Sequence, residues 1–351
     1  MIKIHLKSLA LSLICVSVLS CKNNSTTTTS NTTVVPVNKD LFLKGGLAEA
    51  ITIESRTLSD GTTADCYKIV VTSTPTDHDM GPWCPTNISD DASAGGIWLN
   101  DGKVYDVDGD FVKNLATFYN DDTWMLYDSE TGQITKTKTK QQCLEAANPN
   151  VTEEYQNFCV ECLPSFVGAV QHTYYIPVTP KKAKEIYTFS SRPGGPPPGA
   201  AEGRKRPEGR PDGPPPNHDN NNNSTTLPSD RGLAFNGVVF NAPAPVDNIL
   251  EAYTLAPFDD AGGHINLNAG YHYHAATGVS KKVEQKDKHA AMIGYAFDGF
   301  GIFENSDANG KEYTDLDKAR GHYDDVRGYH YHVDKAGNNN FINGLRGEYA
   351  Q

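Results

Sequence analysis

The feature that most constrains this chain is a pentapeptide, Gly-Tyr-His-Tyr-His, which starts at Gly270 and again 58 residues later at Gly328. The duplication is longer than the pentapeptide, since residues 258–274 and 316–332 are identical at nine of seventeen positions. Both segments follow the pattern D-x4-H-x7-H-x-H. Agreement over this length indicates two copies of one structural unit.

A second shared element lies upstream of each histidine motif. AFNGVVF at 234–240 resembles AFDGFGIF at 296–303, with one residue inserted. We therefore assign two repeats, at about 233–278 and about 295–337. Each repeat is expected to contain a strand and turn, followed by a hairpin that carries the histidines.

Tyrosine and histidine alternate in each pentapeptide, which fixes the direction of their side chains. On a strand, alternate side chains share a face, so the histidines lie on one face and the tyrosines on the other. A turn centred on Asn268 would place the first histidine directly opposite the second, with Cβ atoms about 5 Å apart. The second copy predicts the same hairpin, with its turn at Val326. Each hairpin is thus expected to present three imidazoles: His264, His272 and His274 in the first copy, and His322, His330 and His332 in the second.

Three imidazoles this close repel one another when protonated, and each needs a hydrogen-bond partner when partly buried. A divalent transition metal, with zinc or copper as the first candidates, resolves both problems, because three neutral histidines with one open position are a known zinc arrangement. The alternative is a polar sheet face whose histidines bind carboxylates and water. Asp259 and Asp317 precede the first histidine of each copy by five residues. They would either accept hydrogen bonds from ring N–H groups or cap turns.

The doubled motif also predicts how the sites combine. If the two copies pack about an approximate two-fold axis, their equivalent faces meet in a shared cleft. The two triads would then hold either two ions or one ion shared between the copies. We favour two ions, because each triad alone supplies the three ligands of an open zinc site.

Four further residues are candidates for chemistry outside the triads. Asp298 and Glu304 are the candidate general bases if the chain is a metal-dependent hydrolase. His78 and Met80 form an H-x-M pair that suits copper, although the glycine and proline that follow favour a turn. His289 has no counterpart in the other repeat, and we interpret it as structural, with a role as a further ligand as the alternative.

Composition divides the rest of the chain. Short alternating apolar runs broken by Gly, Pro, Asn and Asp favour strands, and a stretch rich in Pro, Gly and Asn cannot bury a core. We predict a mainly β, antiparallel fold with internally duplicated histidine hairpins and few short helices, at about 140–147 and 247–253. The predicted segments are a signal peptide at 1–20, a flexible tether at 21–38, a β-rich part at 39–190, a disordered insertion at 191–230 and a C-terminal domain at 231–351.

The first residues predict export. Lys3 and Lys7 precede an apolar run too short to span a bilayer, which is typical of a signal peptide. The run ends in Val-Leu-Ser-Cys, which resembles the lipobox of bacterial lipoproteins, so Cys21 is the expected lipidated first residue. We expect an outer-membrane lipoprotein of the bacterial cell envelope, held to the membrane by its lipid anchor. A net charge of −12 without a basic stripe argues against nucleic acid as a partner, and protein partners are unknown from the sequence.

Five cysteines remain after Cys21, and an oxidising compartment makes disulfides the default. Spacing suggests a bridge between Cys66 and Cys84, and one from Cys143 to Cys159 or Cys162, with one thiol left over. The alternative is a zinc site formed by the last three cysteines and His172.

The C-terminal residues resemble the YHYH-domain family, exported bacterial proteins named for this tetrapeptide. The resemblance covers about 230–351 and, more weakly, 77–85. It implies the same fold and an important role for the histidines, but no reaction, because the activity of the family is not established. The family often has cysteine where this chain has Ala261, Ala319 and Gly344, so a metal site here must use histidine and carboxylate. The stretches that carry the resemblance are LAFNGVVFNAPAP, APFDDAGGHINLNAGYHYHAATG, IGYAFDGFGIF, RGHYDDVRGYHYHV and FINGLRGE.

Two classes of function remain open from the sequence. The first is an exported metal-binding protein without chemistry of its own, such as a scavenger, a chaperone or a metallated adhesion module. The second is a metalloenzyme, either a hydrolase using an open zinc site or a copper redox enzyme. Metal binding is the common element of both classes.

Overall fold

A computed structural model describes residues 33–148, 152–167, 170–189, 228 and 230–351. The predicted signal peptide, Cys21, most of the tether and nearly all of the 191–230 insertion lie outside the described residues. Within the described part, no helix is both long and apolar enough to cross a membrane.

The described residues form mainly β structure with five short α-helices, which confirms the predicted fold class. The strands are β1 Thr52–Thr57, β2 Thr63–Val71, β3 Ile97–Asn100, β4 Lys103–Asp106, β5 Phe158–Cys159, β6 His172–Pro177, β7 Lys182–Thr188, β8 Gly232–Ala234, β9 Val239–Phe240, β10 Thr254–Leu255, β11 Gly263–Asn266, β12 Gly270–Tyr273, β13 Met292–Ala296, β14 Gly301–Phe303, β15 Gly321–Asp324, β16 Gly328–His332 and β17 Gly344–Gly347. The helices are α1 Gly109–Lys113, α2 Leu115–Tyr119, α3 Lys140–Glu145, α4 Pro164–Val167 and α5 Val246–Glu251, so both predicted helical segments, α3 and α5, are present.

The largest sheet contains eight strands in the order β11-β12-β9-β8-β13-β14-β16-β15. The first four strands belong to the first repeat and the last four to the second, and equivalent strands are equally far from the centre. At the centre β8 and β13 pair antiparallel, and Leu233 lies opposite Tyr295, its own counterpart in the other repeat. The pairs β12–β9 and β14–β16 are parallel, so the sheet is mixed rather than purely antiparallel.

The two histidine hairpins form the two ends of this sheet, and both have the predicted register. His264 pairs with His272 across β11 and β12, and His322 pairs with His330 across β15 and β16. The glycine that opens each pentapeptide has a positive φ, +74° at Gly270 and +66° in the second copy. Side chains other than hydrogen rarely adopt this left-handed conformation, which explains why each motif begins with glycine.

Residues before the insertion cover the middle of the sheet. The strands β1, β2 and β6 form a three-stranded sheet whose apolar side chains, Ile69 and Ile176 among them, pack with Leu233 and Phe235 of the eight-stranded sheet. A second core brings Trp98 and other residues of the N-terminal part against the tyrosines of the hairpins. The centre of the sheet is thus filled, and the histidine hairpins remain at its ends.

Two disulfides form within the N-terminal part, and one of the predicted bridges is wrong. Cys84 pairs with Cys159, so the Cys66–Cys84 bridge does not form and Cys66 is a buried free thiol. The second disulfide, Cys143–Cys162, is one of the two predicted alternatives. Because these cysteines are oxidised, the alternative zinc site is also wrong, and His172 lies outside it with Nε2 3.2 Å from the carbonyl oxygen of Ala269.

Candidate metal centres

The three-histidine cluster consists of His264, His272 and His274 on the first hairpin. β11 carries the first ring, β12 carries the second directly opposite, and the third follows the end of β12. The ring centroids are 4.8–4.9 Å apart, and one nitrogen from each ring lies within 4.8 Å of the others. The alternation of Tyr and His therefore brings the predicted triad together.

The four-histidine cluster consists of His289, His322, His330 and His332 at the other end of the sheet. The Nε2 atom of His322 lies 3.0 Å from that of His330 and 3.2 Å from that of His332. The fourth ring, His289, places its Nε2 3.1 Å from that of His330. Of the two interpretations of His289, its position fits the alternative, a further candidate ligand, better than a purely structural role. Comparison of the repeats missed it, because it precedes β13 and has no counterpart in the first copy.

Backbone carbonyls fix the orientation of the rings in both clusters. The Nδ1 atoms of His272 and His330 lie 3.0 and 2.9 Å from the carbonyl oxygens of the glycines that open their pentapeptides. Those of His274 and His332 lie 2.7 and 2.8 Å from carbonyl oxygens outside the hairpins. A neutral ring that donates from Nδ1 keeps an unshared electron pair on Nε2. These rings therefore direct Nε2 electron pairs toward the centre of their cluster.

Removal from water keeps these imidazoles neutral. Burial lowers the pKa of His272 to about 4 and the pKa of His330 to about 3, and the pKa of His274 falls well below its ordinary value for the same reason. A neutral imidazole is the form that binds a metal. These three rings are thus in the protonation state that coordination requires at neutral pH.

Asp259 and Asp317 lie against the tyrosines rather than the histidines. Asp259 accepts hydrogen bonds from the hydroxyl of Tyr271 at 2.8 Å and from backbone N–H groups of its own turn. Asp317 accepts equivalent bonds from Tyr329 at 2.9 Å and from its own turn. Of the two roles left open by the sequence, capping turns is the one observed. The expectation that these carboxylates orient the imidazoles fails because tyrosine hydroxyls and backbone amides reach them first.

Neither candidate general base faces a histidine cluster with its carboxylate. Asp298 is buried on the tyrosine side of the sheet, where it accepts hydrogen bonds from the Tyr331 hydroxyl and, at 2.8 Å, from the backbone N–H of Gly347. The carboxylate of Glu304 pairs with Lys282 at 3.1 Å, and only its backbone carbonyl reaches a cluster, at His332. The roles predicted for Asp298 and Glu304 as general bases therefore do not fit this geometry.

The H-x-M segment lies behind the first hairpin. The Nε2 atom of His78 lies 3.3 and 3.4 Å from the hydroxyl oxygens of Tyr271 and Tyr273, and its Nδ1 lies 2.9 Å from Asp77. His78 therefore connects the N-terminal part to the tyrosine face of the repeat. The partly buried Met80 packs against the main apolar core.

The surroundings of the two clusters differ. All three rings of the three-histidine cluster line a cavity of about 420 Å³. The four-histidine cluster has carboxylates instead: Asp315 lies 3.0 Å from Nδ1 of His322, and Asp324 lies 3.9 Å from Nε2 of His330. The position equivalent to Asp315 in the first copy is Pro257.

The clusters are separate sites. The strands β9, β8, β13 and β14 lie between the two hairpins. At about 4.8 Å per strand, the hairpins are separated by roughly 24 Å along the sheet. The proposed cleft shared by both copies, and with it the single shared ion, is therefore wrong. The reason is that the two repeats are related by an approximate two-fold axis at the central β8–β13 pair, which places equivalent hairpins at opposite ends of the sheet.

A family model described as YHYH protein matches residues 214–315. Residues 214–315 are therefore similar to this family. The match includes the whole three-histidine cluster and His289 of the other cluster, but ends before His322. No curated protein and no solved structure matches the chain.

Proposed function

We propose that this chain is a metal-binding protein whose YHYH domain holds one transition-metal ion in each histidine cluster. The observation that carries the proposal is the convergence of four Nε2 atoms in the four-histidine cluster. Three pairs of these atoms lie 3.0, 3.1 and 3.2 Å apart. A tetrahedral ion with metal–nitrogen bonds of about 2.0–2.1 Å separates its ligand nitrogens by about 3.3 Å.

The orientation of the rings supports the same conclusion. Each Nδ1 atom of this cluster has an acceptor: a backbone carbonyl for His289, His330 and His332, and a carboxylate for His322. With Nδ1 donating, the Nε2 electron pairs face one another at contact distance and repel. A cation at the centre replaces this repulsion with four favourable bonds. Ring N–H groups held by carbonyls and carboxylates are the usual support of metal-bound histidines.

The donor set limits the class of metal. Imidazole nitrogens suit zinc, copper, nickel and iron, whereas calcium and magnesium require oxygen ligands. A set of four imidazole nitrogens matches the four-coordinate, nitrogen-ligated sites that zinc prefers, and a cluster of three leaves zinc and copper as the first candidates.

The location that we propose is the bacterial cell envelope, with Cys21 as the site of a lipid anchor. The signal-like first residues and the Val-Leu-Ser-Cys sequence support it. The disulfides Cys84–Cys159 and Cys143–Cys162 also support it, because such bonds persist in oxidising compartments. An anchored protein with two histidine sites would store or deliver metal at the cell surface or in the periplasm, or use the metal to stabilise an adhesive fold.

Elemental analysis of the protein purified without a histidine tag tests metal binding. The expected content is two ions per chain, one after His272→Ala, one after His330→Ala, and none after both changes. His172→Ala is the matched control, since this histidine lies outside both clusters, and it should keep two ions. A protein that takes up no metal, or a double variant with full metal content, would overturn the proposal.

A further inference from the structure

We propose that the three-histidine cluster is an open metal centre, which binds a small anion as its fourth ligand in the adjoining cavity, whereas the four-histidine cluster is closed. This inference rests on the proposed function, because it requires a metal in each cluster. It assigns a small anion as ligand to the three-histidine cluster and excludes such a ligand from the four-histidine cluster.

The fourth coordination position is where the two clusters differ. In the four-histidine cluster His289 fills it, with Nε2 3.1 Å from that of His330. Among the described residues, no fourth His, Cys, Asp or Glu side chain joins the three-histidine cluster. The cavity of about 420 Å³ adjoins all three of its rings. The position occupied by protein in one copy therefore faces open volume in the other.

Charge determines what enters the cavity. A divalent ion held by three neutral imidazoles keeps its full charge of +2, and no Asp, Glu, Lys or Arg is among the described residues that line the cavity. In surroundings of low dielectric constant an anion close to such an ion is strongly attracted. In the four-histidine cluster the chain itself supplies negative charge through Asp315, whereas the carboxylate of Asp324 is paired with Arg327 at 2.7 Å. The open centre lacks this compensation, which a bound anion would supply.

The cavity walls limit the size and character of that anion. Trp83, Ile249 and the disulfide Cys143–Cys162 supply apolar surface, and Asn241 and Asn266 supply amides that can donate or accept hydrogen bonds. The volume lies in the lower part of the range of about 300–1,000 Å³ that small-molecule sites span. A small carboxylate or similar monoanion with a compact uncharged body matches these walls, which offer no cationic side chain to a multiply charged phosphate ester.

The experiment uses the full chain loaded with Co²⁺, whose visible absorption reports its coordination, and sodium azide as the anion. Azide should change the cobalt spectrum and saturate at one azide per chain. His274→Ala should abolish the response by dismantling the open cluster, while cobalt remains in the other. His289→Ala should add a second azide-sensitive cobalt, because it opens the closed cluster.

A variant in the cavity wall tests the site without touching a ligand. Ala147→Trp fills part of the cavity and should raise the azide dissociation constant by about tenfold or more, with unchanged cobalt content. Ala308→Trp, on a distant exposed turn, is the control and should leave azide binding unchanged. Two cobalt ions with no azide response would overturn this inference alone. Failure of both clusters to bind cobalt would overturn the proposed function and the inference with it.

Discussion

The two histidine clusters have the same motif in sequence but different surroundings in the fold. In each, a hairpin aligns three imidazoles, and a backbone carbonyl holds Nδ1 of the central histidine, His272 or His330. The four-histidine cluster adds His289 and the carboxylate of Asp315, whereas the three-histidine cluster adjoins a cavity and has Pro257 in place of the carboxylate. The repeat therefore supplies three candidate ligands, and residues outside its identical positions decide whether a fourth histidine joins them.

The aromatic neighbours differ in the same way. Tyr313 stacks on His332 with ring centroids 3.8 Å apart, which covers the four-histidine cluster from one side. In the first copy Phe258 stacks on His264 at 5.0 Å. One cluster is thus covered by a polar aromatic ring from a loop, and the other by an apolar ring that also belongs to the main core.

The largest expected effect comes from removing metal from both clusters. The double variant His272→Ala and His330→Ala should lose the stabilisation that two bound ions give. At free metal 1,000 times above each dissociation constant, this stabilisation is about 4 kcal/mol per site. Urea unfolding with and without excess zinc measures it. If added zinc stabilises the double variant as much as the unaltered protein, the two clusters are not the sites at which zinc binds.

Removal of the fourth imidazole should convert the closed cluster into an open one. His289→Ala should weaken metal binding there by about 100-fold or more, since loss of a supporting hydrogen bond alone already costs about 10- to 100-fold. The three-histidine cluster should keep its affinity. Competition with a chelator of known affinity measures both sites. Equal affinities before and after the change would mean that His289 is not a ligand.

A third difference between the copies lies on the tyrosine face, where Asp298 occupies the position of Asn236. Burial raises the pKa of Asp298 to about 6, so the folded protein holds a proton that the unfolded chain releases near pH 4. Stability from this group is therefore present at low pH and lost as pH rises from about 4 to about 6. The loss is about 3 kcal/mol at most.

Asp298→Asn removes this titration. The unfolding free energy of the unaltered protein should fall relative to that of the variant between about pH 4 and 6, and the difference should be constant above that range. Urea unfolding at a series of pH values measures how the difference in unfolding free energy between the two proteins changes with pH. A hydrogen bond lost in the variant shifts this difference by a constant amount and leaves its pH dependence unchanged. Parallel curves for the two proteins would show that the pKa of Asp298 is the same in the folded and the unfolded chain.

The smallest effect is expected at Asp315, which lies on the solvent side of the four-histidine cluster. Asp315→Asn should weaken metal binding in that cluster by about tenfold, because the carboxylate no longer polarises His322. Asp325→Asn, an exposed change on the same hairpin, is the control. An unchanged metal dissociation constant would show that Asp315 does not contribute to metal binding.

The hairpins and six of the seven clustered histidines were predictable from the sequence, because strand periodicity fixes which side chains share a face. His289 was not, because it comes from a non-repeated loop, and only the folded sheet places that loop beside β16. The roles of Asp259 and Asp317 were mistaken for a related reason. Their spacing from the histidines indicated proximity, but the side chains turn to the face that carries Tyr271 and Tyr329.

The disulfide pairing also could not be predicted from the sequence. Local spacing suggested Cys66 as the partner of Cys84, but the partner is Cys159, 75 positions away. Connectivity of this kind depends on which strands meet in space, and β5 is brought there by its pairing with β10 of the C-terminal part. Sequence spacing contains no information about that contact.

The central pairing of β8 with β13 has a consequence for how this asymmetry arose. Leu233 pairs with its own counterpart, Tyr295. The flanking pairs are Ala234–Gly294 and Gly232–Ala296, and each pair consists of the repeat equivalents of the other. This is the self-complementary contact that identical subunits use in a two-fold dimer. In a dimer of identical chains every substitution appears in both sites. Joining the two halves in a single polypeptide removes that restriction, so one half can acquire His289 and Asp315 while the other keeps its cavity.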